Sequence, residues 1–178
     1  ILDCSKLPSL GAVLNAAIAE SSGAVIMKID ADDIYLPNYA ADMRLSLLQS
    51  GSAVVAKKAC FSYQQDRDLL LLTEFGAIDK RSRSTHLAGG SAICAWKEVF
   101  ELVPFDDELT LAEDINFFRR CHARFMSLHW VDPFNHIRQR SPRSADHTWD
   151  LDDLITPLFY GPKTRVLGGR AEFALVEV

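Results

Sequence analysis

Three aspartates, Asp30, Asp32 and Asp33, directly follow a short apolar stretch. Residues 24–29 are rich in β-branched side chains and nearly all apolar, which predicts a buried strand of an α/β sheet. The aspartates would then lie just past the carboxyl end of that strand, where open α/β sheets bind ligands. Closely spaced carboxylates repel each other, and Mg²⁺ or Mn²⁺ is the usual counter-charge. A solvated turn that caps the next helix is an equally good interpretation of the aspartates alone.

A second acidic pair, Glu113-Asp114, opens a predicted helix over residues 112–125. Carboxylates in a first turn favour the positive end of the helix dipole, so the pair by itself indicates a simple helix start. Basic residues also cluster, and most such clusters are solvated surface. The cluster that contains Arg138 and Arg140 falls in a Pro- and Ser-rich stretch over residues 133–146. This stretch predicts a loop in which an anionic ligand could be held.

The composition indicates one globular domain with a proper core, because 48% of the 178 residues are hydrophobic and 24% are charged. The net charge of −5 argues against a non-specific nucleic-acid binder, which would carry a basic face. No apolar stretch is long enough to span a bilayer, and no signal peptide is evident. The four cysteines are widely separated, which predicts free thiols in a reducing compartment. The first residue is Ile, so we expect an excerpt or a processed product.

Helical and extended patterns alternate early in the chain and become irregular later, which predicts an α/β fold with a mixed sheet flanked by helices. Helices are predicted over residues 9–20, 37–49, 97–102, 112–125 and 150–158. Strands are predicted over residues 24–29, 52–63, 69–75, 91–95 and 126–131, with a loop over 76–90 and a terminal hairpin over 164–178.

With these elements in order, the chain resembles the family 2 glycosyltransferases, whose fold is the Rossmann-related GT-A fold. The resemblance runs from Ser9 to about Ser144. Each signature is weak alone, but their order and spacing together are specific. They are the segment 9–18, the run 23–37, Gly89-Gly90-Ser91, the segment 99–101, Phe105-Asp106, Glu113-Asp114, and the trio Val131, Pro133 and Arg138.

The resemblance implies a role for each acidic residue. Asp30 resembles the residue that contacts the ribose or uracil side of the nucleotide. Asp32 resembles the ligand of the Mn²⁺ or Mg²⁺ ion that bridges the diphosphate, and Asp33 resembles its supporting partner or a helix cap. Asp114 resembles the general base, with Glu113 as its neighbour or substitute.

The glycines Gly89 and Gly90, followed by Ser91, resemble the backbone wall where the acceptor or donor sugar approaches. The family's first strands would precede the helix over residues 9–20, and the sequence does not contain them. The resemblance therefore implies that residues 1–178 form a single domain equal to the C-terminal two-thirds of a GT-A domain.

The metal site departs from the family pattern. Many relatives place a His shortly after the strand that ends in Arg, and here Arg140 occupies that place. His147 is the first candidate for a further metal ligand, and His136 is a weaker one. Arg138 and Arg140 are candidates for binding the diphosphate, which Arg140 could do without metal.

The resemblance implies an inverting, metal-dependent enzyme that moves a single sugar from a nucleotide-diphosphate sugar to a hydroxyl acceptor. A UDP-sugar is the expected donor, and a glycan or lipid-linked acceptor in polysaccharide biosynthesis is the expected partner. The Gln-x-x-Arg-Trp signature of processive synthases is missing, which favours a single transfer. We expect a cytoplasmic protein, peripheral at the membrane if it meets a lipid-linked acceptor, with a homodimer as one option.

Two other functions compete with this interpretation. The first is a metal-dependent phosphatase or nuclease, which would need more carboxylate or His ligands around two metal ions. The second is a truncated or degenerate GT-A module that has a binding or assembly role and no catalysis. Sheet edges left open by missing strands would favour dimerisation in that case.

Overall fold

The computed structural model describes residues 3–74, 89–140 and 165–177. Within these ranges the helices are α1 (Leu10–Glu20), α2 (Tyr39–Ser50), α3 (Lys97–Leu102) and α4 (Glu113–Ala123), with a 3₁₀ helix over Arg170–Leu175. The strands are β1 (Val25–Lys28), β2 (Ile34–Tyr35), β3 (Val54–Lys57), β4 (Ala59–Gln64), β5 (Leu69–Glu74), β6 (Ile93–Trp96), β7 (Leu128–Val131), β8 (His136–Arg140) and β9 (Arg165–Gly168).

The strands form two mixed sheets. The first has the order β1-β6-β3-β7, in which β6 is antiparallel to both neighbours and β3 is parallel to β7. The second has the order β2-β8-β4-β5-β9, in which only the pairing of β4 with β8 is parallel. Helices flank the first sheet, so the predicted α/β class with a mixed sheet is confirmed.

The first sheet packs against helices on both faces, and most of its strand residues are apolar. On one face an aromatic stack of Phe100, Phe105 and Phe117, with centroid separations of 5.0–5.7 Å, joins α3 and α4 to the sheet. On the other face α2 packs Met43 and Leu47 against the sheet, both fully buried. The helices packed on its two faces therefore hold the strands of this sheet, and the turns at their ends, in fixed positions.

The helix boundaries follow the local signals in the sequence. The hydroxyl of Ser9 accepts a hydrogen bond from the amide of Ala12 and caps α1. Gly51 ends α2 with φ +62°, a left-handed conformation that glycine adopts without strain. The helix α3 spans the predicted residues 97–102, and Glu113 and Asp114 occupy the first turn of α4 as predicted.

The strand predicted over residues 52–63 is wrong, since this segment forms two strands in two different sheets. β3 pairs with β6 and β7, whereas β4 pairs with β5 and β8. The chain passes from one sheet to the other at Lys58. The pair Lys57-Lys58 interrupts the apolar residues at this position, and this polar pair was the available signal for the break.

Three further predictions are also corrected. β1 is an edge strand within the described residues, and three of its four residues are only half-buried, so it is not the buried strand predicted. The helix predicted over residues 112–125 ends earlier, at Ala123, and Phe125 lies just beyond it with φ +57° and is 97% exposed. The predicted terminal hairpin is instead the strand β9 followed by a 3₁₀ helix.

The predicted loop over residues 133–146 also differs, because β8 occupies its first half. β8 inserts between β2 and β4, which supplies hydrogen-bond partners to a polar sequence that has little strand character of its own. The predicted helix over 150–158 lies outside the described residues, as does most of the predicted loop 76–90. Within the described residues no helix is long and apolar enough to cross a membrane.

Candidate active site

The acidic turn after β1 and the glycine-serine segment before β6 lie side by side. The cause is the antiparallel register of these two strands, in which Lys28 is opposite Ile93. The hydroxyl of Tyr35 joins the two segments, since it accepts a hydrogen bond from the amide of Asp30 and donates one to the carbonyl of Ser91, both at 2.9 Å. The sheet therefore brings together two motifs that are about 60 residues apart in the chain.

The start of α4 is the third part of this site. A Cβ atom placed on Gly90 would collide with the carboxylate of Asp114, whose Oδ2 is the nearest atom. The carboxylate of Asp114 therefore lies directly against the backbone of Gly90. Its Oδ1 accepts a hydrogen bond of 2.7 Å from the amide of Ile115, which orients the side chain. The structure thus brings the predicted base and the predicted glycine wall together.

Lys28 belongs to the same site and was not predicted from the sequence. Its side chain is 5% exposed, and its Nζ lies 2.5 Å from Oδ1 of Asp30. Asp30, by contrast, is 35% exposed and so remains open to solvent on one side. The available signal was a lone lysine in the otherwise apolar run over residues 24–29, because a buried lysine requires a partner.

Burial raises the pKa of both carboxyl groups at the start of α4. For Glu113 the negative charge of Asp114 adds to the effect of burial, and the nearby ammonium group of Lys28 opposes it. For Asp114 burial is again the main cause, opposed by the hydrogen bond from Ile115 and by the charges of Lys28 and Arg138. A carboxylate with a raised pKa is a stronger proton acceptor than an ordinary surface aspartate.

Asp33 lies on the other side of the acidic turn, where it holds the turn to β8. Its Oδ2 is 3.0 Å from Nε2 of His136, and its Oδ1 accepts a hydrogen bond of 3.1 Å from the amide of Gln139. Asp33 is thus a supporting residue, and the N-cap of the next helix is Asn38.

His136 is fully buried, and burial lowers the pKa of its imidazole. Nε2 of this ring lies near both Asp33 and the hydroxyl of Ser91, the latter at 3.4 Å, while Nδ1 is buried without a partner. A Ser-His-Asp relay needs the acid and the serine on opposite ring nitrogens, so this geometry does not form one. The same contacts occupy Nε2, so this ring nitrogen is not available to a metal ion.

Arg138 and Arg140 lie on β8 at alternate positions, so they share a face of that strand. The charge of Arg138 acts on both Asp33 and Asp114, which places its guanidinium group beside the site. Arg138 therefore joins the acidic residues, and Arg140 lies one repeat further along the same face. His147 lies outside the described residues.

A metal ion could be held here through few protein ligands. Asp32 is exposed at the tip of the turn, whereas Asp30 pairs with Lys28 and Asp33 with His136. In the described part of the chain no three His, Cys, Asp or Glu residues are grouped so as to hold a metal. This donor set fits a hard cation such as Mg²⁺, which binds through one or two carboxylates and completes its shell with substrate phosphates and water.

The cysteines are free thiols in the part of the chain that the structure describes, and Cys60, Cys94 and Cys121 are buried. Burial raises the pKa of the Cys94 and Cys121 thiols to about 12. Neither is therefore suited to act as a nucleophile at neutral pH.

Comparison with known proteins gives limited information. No family model matches the chain, and no curated protein matches it. Among solved structures, the chain is similar to S. aureus TarS 1-349, with a TM-score of 0.45 and 16% sequence identity. The match covers 76% of this chain and 38% of that chain, so this chain spans well under half of the TarS structure. A similarity at this level does not establish a shared fold.

The contact between Gly90 and Asp114 can be tested by a double-mutant cycle. Gly90→Ala alone is expected to lower the free energy of unfolding by about 1–3 kcal/mol, because the new methyl group collides with the carboxylate. In an Asp114→Ala background the same change should cost less, since the colliding oxygen is gone. Urea denaturation of the four proteins measures the coupling. Equal costs in both backgrounds would contradict the contact.

The raised pKa of Asp114 predicts that this residue destabilises the fold at neutral pH. Its carboxyl is easier to ionise in the unfolded chain than in the folded one, so Asp114→Asn should increase the free energy of unfolding at pH 7. The gain should shrink as the pH falls through the raised folded pKa and vanish below the ordinary aspartate value. Urea denaturation across this pH range measures it.

Asp66→Asn is the matched control, because Asp66 is an exposed turn carboxylate whose partner Arg67 is also exposed. Its effect should stay within about 0.5 kcal/mol at every pH. A loss of stability in Asp114→Asn at pH 7 would contradict the assigned burial.

Proposed function

We propose that the chain is an inverting glycosyltransferase that moves a single sugar from a nucleotide-diphosphate sugar to a hydroxyl acceptor. The observation that carries the proposal is the convergence of the aspartate turn after β1, the backbone of Gly90 and the carboxylate of Asp114. These are the motifs on which the sequence resemblance to family 2 glycosyltransferases rests. Their meeting in space supports the resemblance, because unrelated motifs need not converge.

Asp114 is the proposed general base. The acceptor hydroxyl would give its proton to this carboxylate while its oxygen forms a bond to the anomeric carbon. The bond between that carbon and the diphosphate oxygen breaks in the same step, and the nucleoside diphosphate leaves with the electron pair. The raised pKa of Asp114 suits this role, and positioned bases typically contribute about 10²- to 10⁴-fold to the rate. Glu113 is its neighbour and substitute.

The leaving diphosphate needs positive charge around it. Arg138 lies beside the site and is the proposed partner of the phosphate oxygens, with Arg140 further along the strand. Asp32 is the proposed protein ligand of a Mn²⁺ or Mg²⁺ ion, with His147 as a further candidate. When bound, such an ion stabilises the negative charge of the leaving group. Asp30, which is held by Lys28, is the proposed contact to the nucleoside.

The donor proposed is a UDP-sugar, and the acceptor is a hydroxyl of a glycan or of a lipid-linked saccharide. Gly89 and Gly90 would form the wall of the sugar pocket. The compartment proposed is the cytoplasm, with the membrane surface as the meeting place for a lipid-linked acceptor. These partners follow from the family resemblance and from the acidic and basic groups of the site.

The alternative is a binding or assembly module without catalysis. One observation favours it. The strand β1, which directly precedes the donor-side aspartates, lies at a sheet edge within the described residues. An open edge can pair with a strand of another chain, including a second copy of this one. Under this alternative the chain would bind a nucleotide weakly or not at all.

Calorimetry with UDP and Mn²⁺, added together and separately, distinguishes the two functions. We expect UDP to bind in the presence of Mn²⁺ and to lose at least about tenfold in affinity in Asp32→Asn, because the exposed carboxylate would no longer neutralise the ion. Asp66→Asn is the control, since its exposed carboxylate lies in the turn between β4 and β5, and it should bind like the original protein. A folded protein that binds neither UDP nor Mn²⁺ would contradict the proposed enzyme and favour the module.

A further inference from the structure

Lys28 is a buried cation that the proposed chemistry does not yet use. Removing an ammonium group from water is costly unless a partner compensates for the lost hydration. The close contact of Nζ with Asp30 provides such a partner. That contact uses one of the three donors of the ammonium group.

The strand register shows which groups lie around Lys28. Lys28 is opposite Ile93 on β6, and the chain just before β6 contains Gly90, which touches the carboxylate of Asp114. The ammonium group of Lys28 accordingly opposes the burial effect at both Glu113 and Asp114. One buried cation thus pairs with Asp30 and also lowers the pKa of Glu113 and Asp114, two carboxyl groups from a distant segment of the chain.

We propose that Lys28 is a positioning residue whose ammonium group links the donor-binding carboxylate Asp30 to the base Asp114. On one side it fixes Asp30 by an ion pair, with the open side of that carboxylate turned to solvent. On the other side it stabilises the charged form of Asp114, which must be ionised to accept a proton. The terms donor and base rest on the proposed function, whereas the electrostatic link does not.

Charged groups from three elements act on Asp114. Lys28 approaches from β1 and Arg138 from β8, while Glu113 is its neighbour on α4. The segment before β6 contributes the uncharged backbone of Gly90. Lys28 and Arg138 therefore act in the same direction, and removing either cation should make Asp114 harder to ionise.

The test is a titration of the Asp114 carboxyl carbon by ¹³C NMR in the free protein, which needs neither donor nor turnover. Lys28→Met should raise the pKa of Asp114, and Lys28→Arg, which keeps the charge, should restore it. Lys57→Met is the matched control, because Lys57 is equally buried but pairs with Asp42 and Asp132. That control should leave the pKa of Asp114 unchanged.

The double variant Lys28→Met with Asp30→Asn guards against misfolding, because it replaces both members of the ion pair by neutral groups and leaves no buried charge unpaired. Asp30→Asn alone is its reference, because the double variant then differs only in the cation, and its Asp114 should have the higher pKa of the two. An unchanged pKa of Asp114 in folded Lys28→Met, or in the double variant relative to Asp30→Asn, would overturn the proposal.

Measuring sugar transfer alongside the carboxyl titration shows whether the electrostatic link or the proposed enzymatic function has failed. If the chain transfers sugar, the acid limb of the kcat profile should move to higher pH in Lys28→Met, because a higher pH is then needed to ionise the base. If it transfers no sugar but the carboxyl titration shifts as expected, the electrostatic link stands and the enzymatic role fails. If the titration does not shift in a protein that transfers sugar, the link fails and the enzymatic role stands.

Discussion

The electrostatic balance at the end of β1 is the constraint on which the site depends. Asp30, Glu113 and Asp114 carry like charges in a partly buried place, and such charges stay together only where positive charge compensates them. The structure supplies that charge from within the chain, through Lys28 and Arg138. The sequence suggested a divalent cation for this task, and a bound ion would add to the same balance at the exposed Asp32.

The two sheets position the charged groups of the site. The antiparallel register of β1 and β6 brings the aspartate turn beside Gly90. The aromatic stack under α4 fixes the position of the first turn of this helix, which contains Asp114. β8 of the second sheet then holds the far side of the turn through His136 and Asp33. The site is thus a junction of both sheets, and its two acidic segments keep their spacing because the turn after β1 and the start of α4 are held by different elements.

Local signals predicted the parts of the site well, but they could not predict its electrostatics. The turn after β1 and the acidic start of α4 follow from apolar patterns and capping preferences that act over a few residues. Lys28 was missed because the groups around it are brought together by the pairing of β1 with β6, a distant segment of the chain. The strand β8 and the assignment of β3 and β4 to different sheets likewise depend on pairing with distant segments, which apolar patterns do not encode.

We propose that Asp114 is a base beside a nucleotide-sugar site. The most direct measurement is UDP release from UDP-glucose, UDP-galactose and their N-acetylated counterparts with Mn²⁺ and water as acceptor, in the original protein and in Asp114→Asn. We expect that at least one donor is hydrolysed, that Asp114→Asn is slower by about 10²- to 10⁴-fold, and that both proteins bind UDP equally. Equal rates of release in the two proteins, or UDP binding without any release, would contradict it.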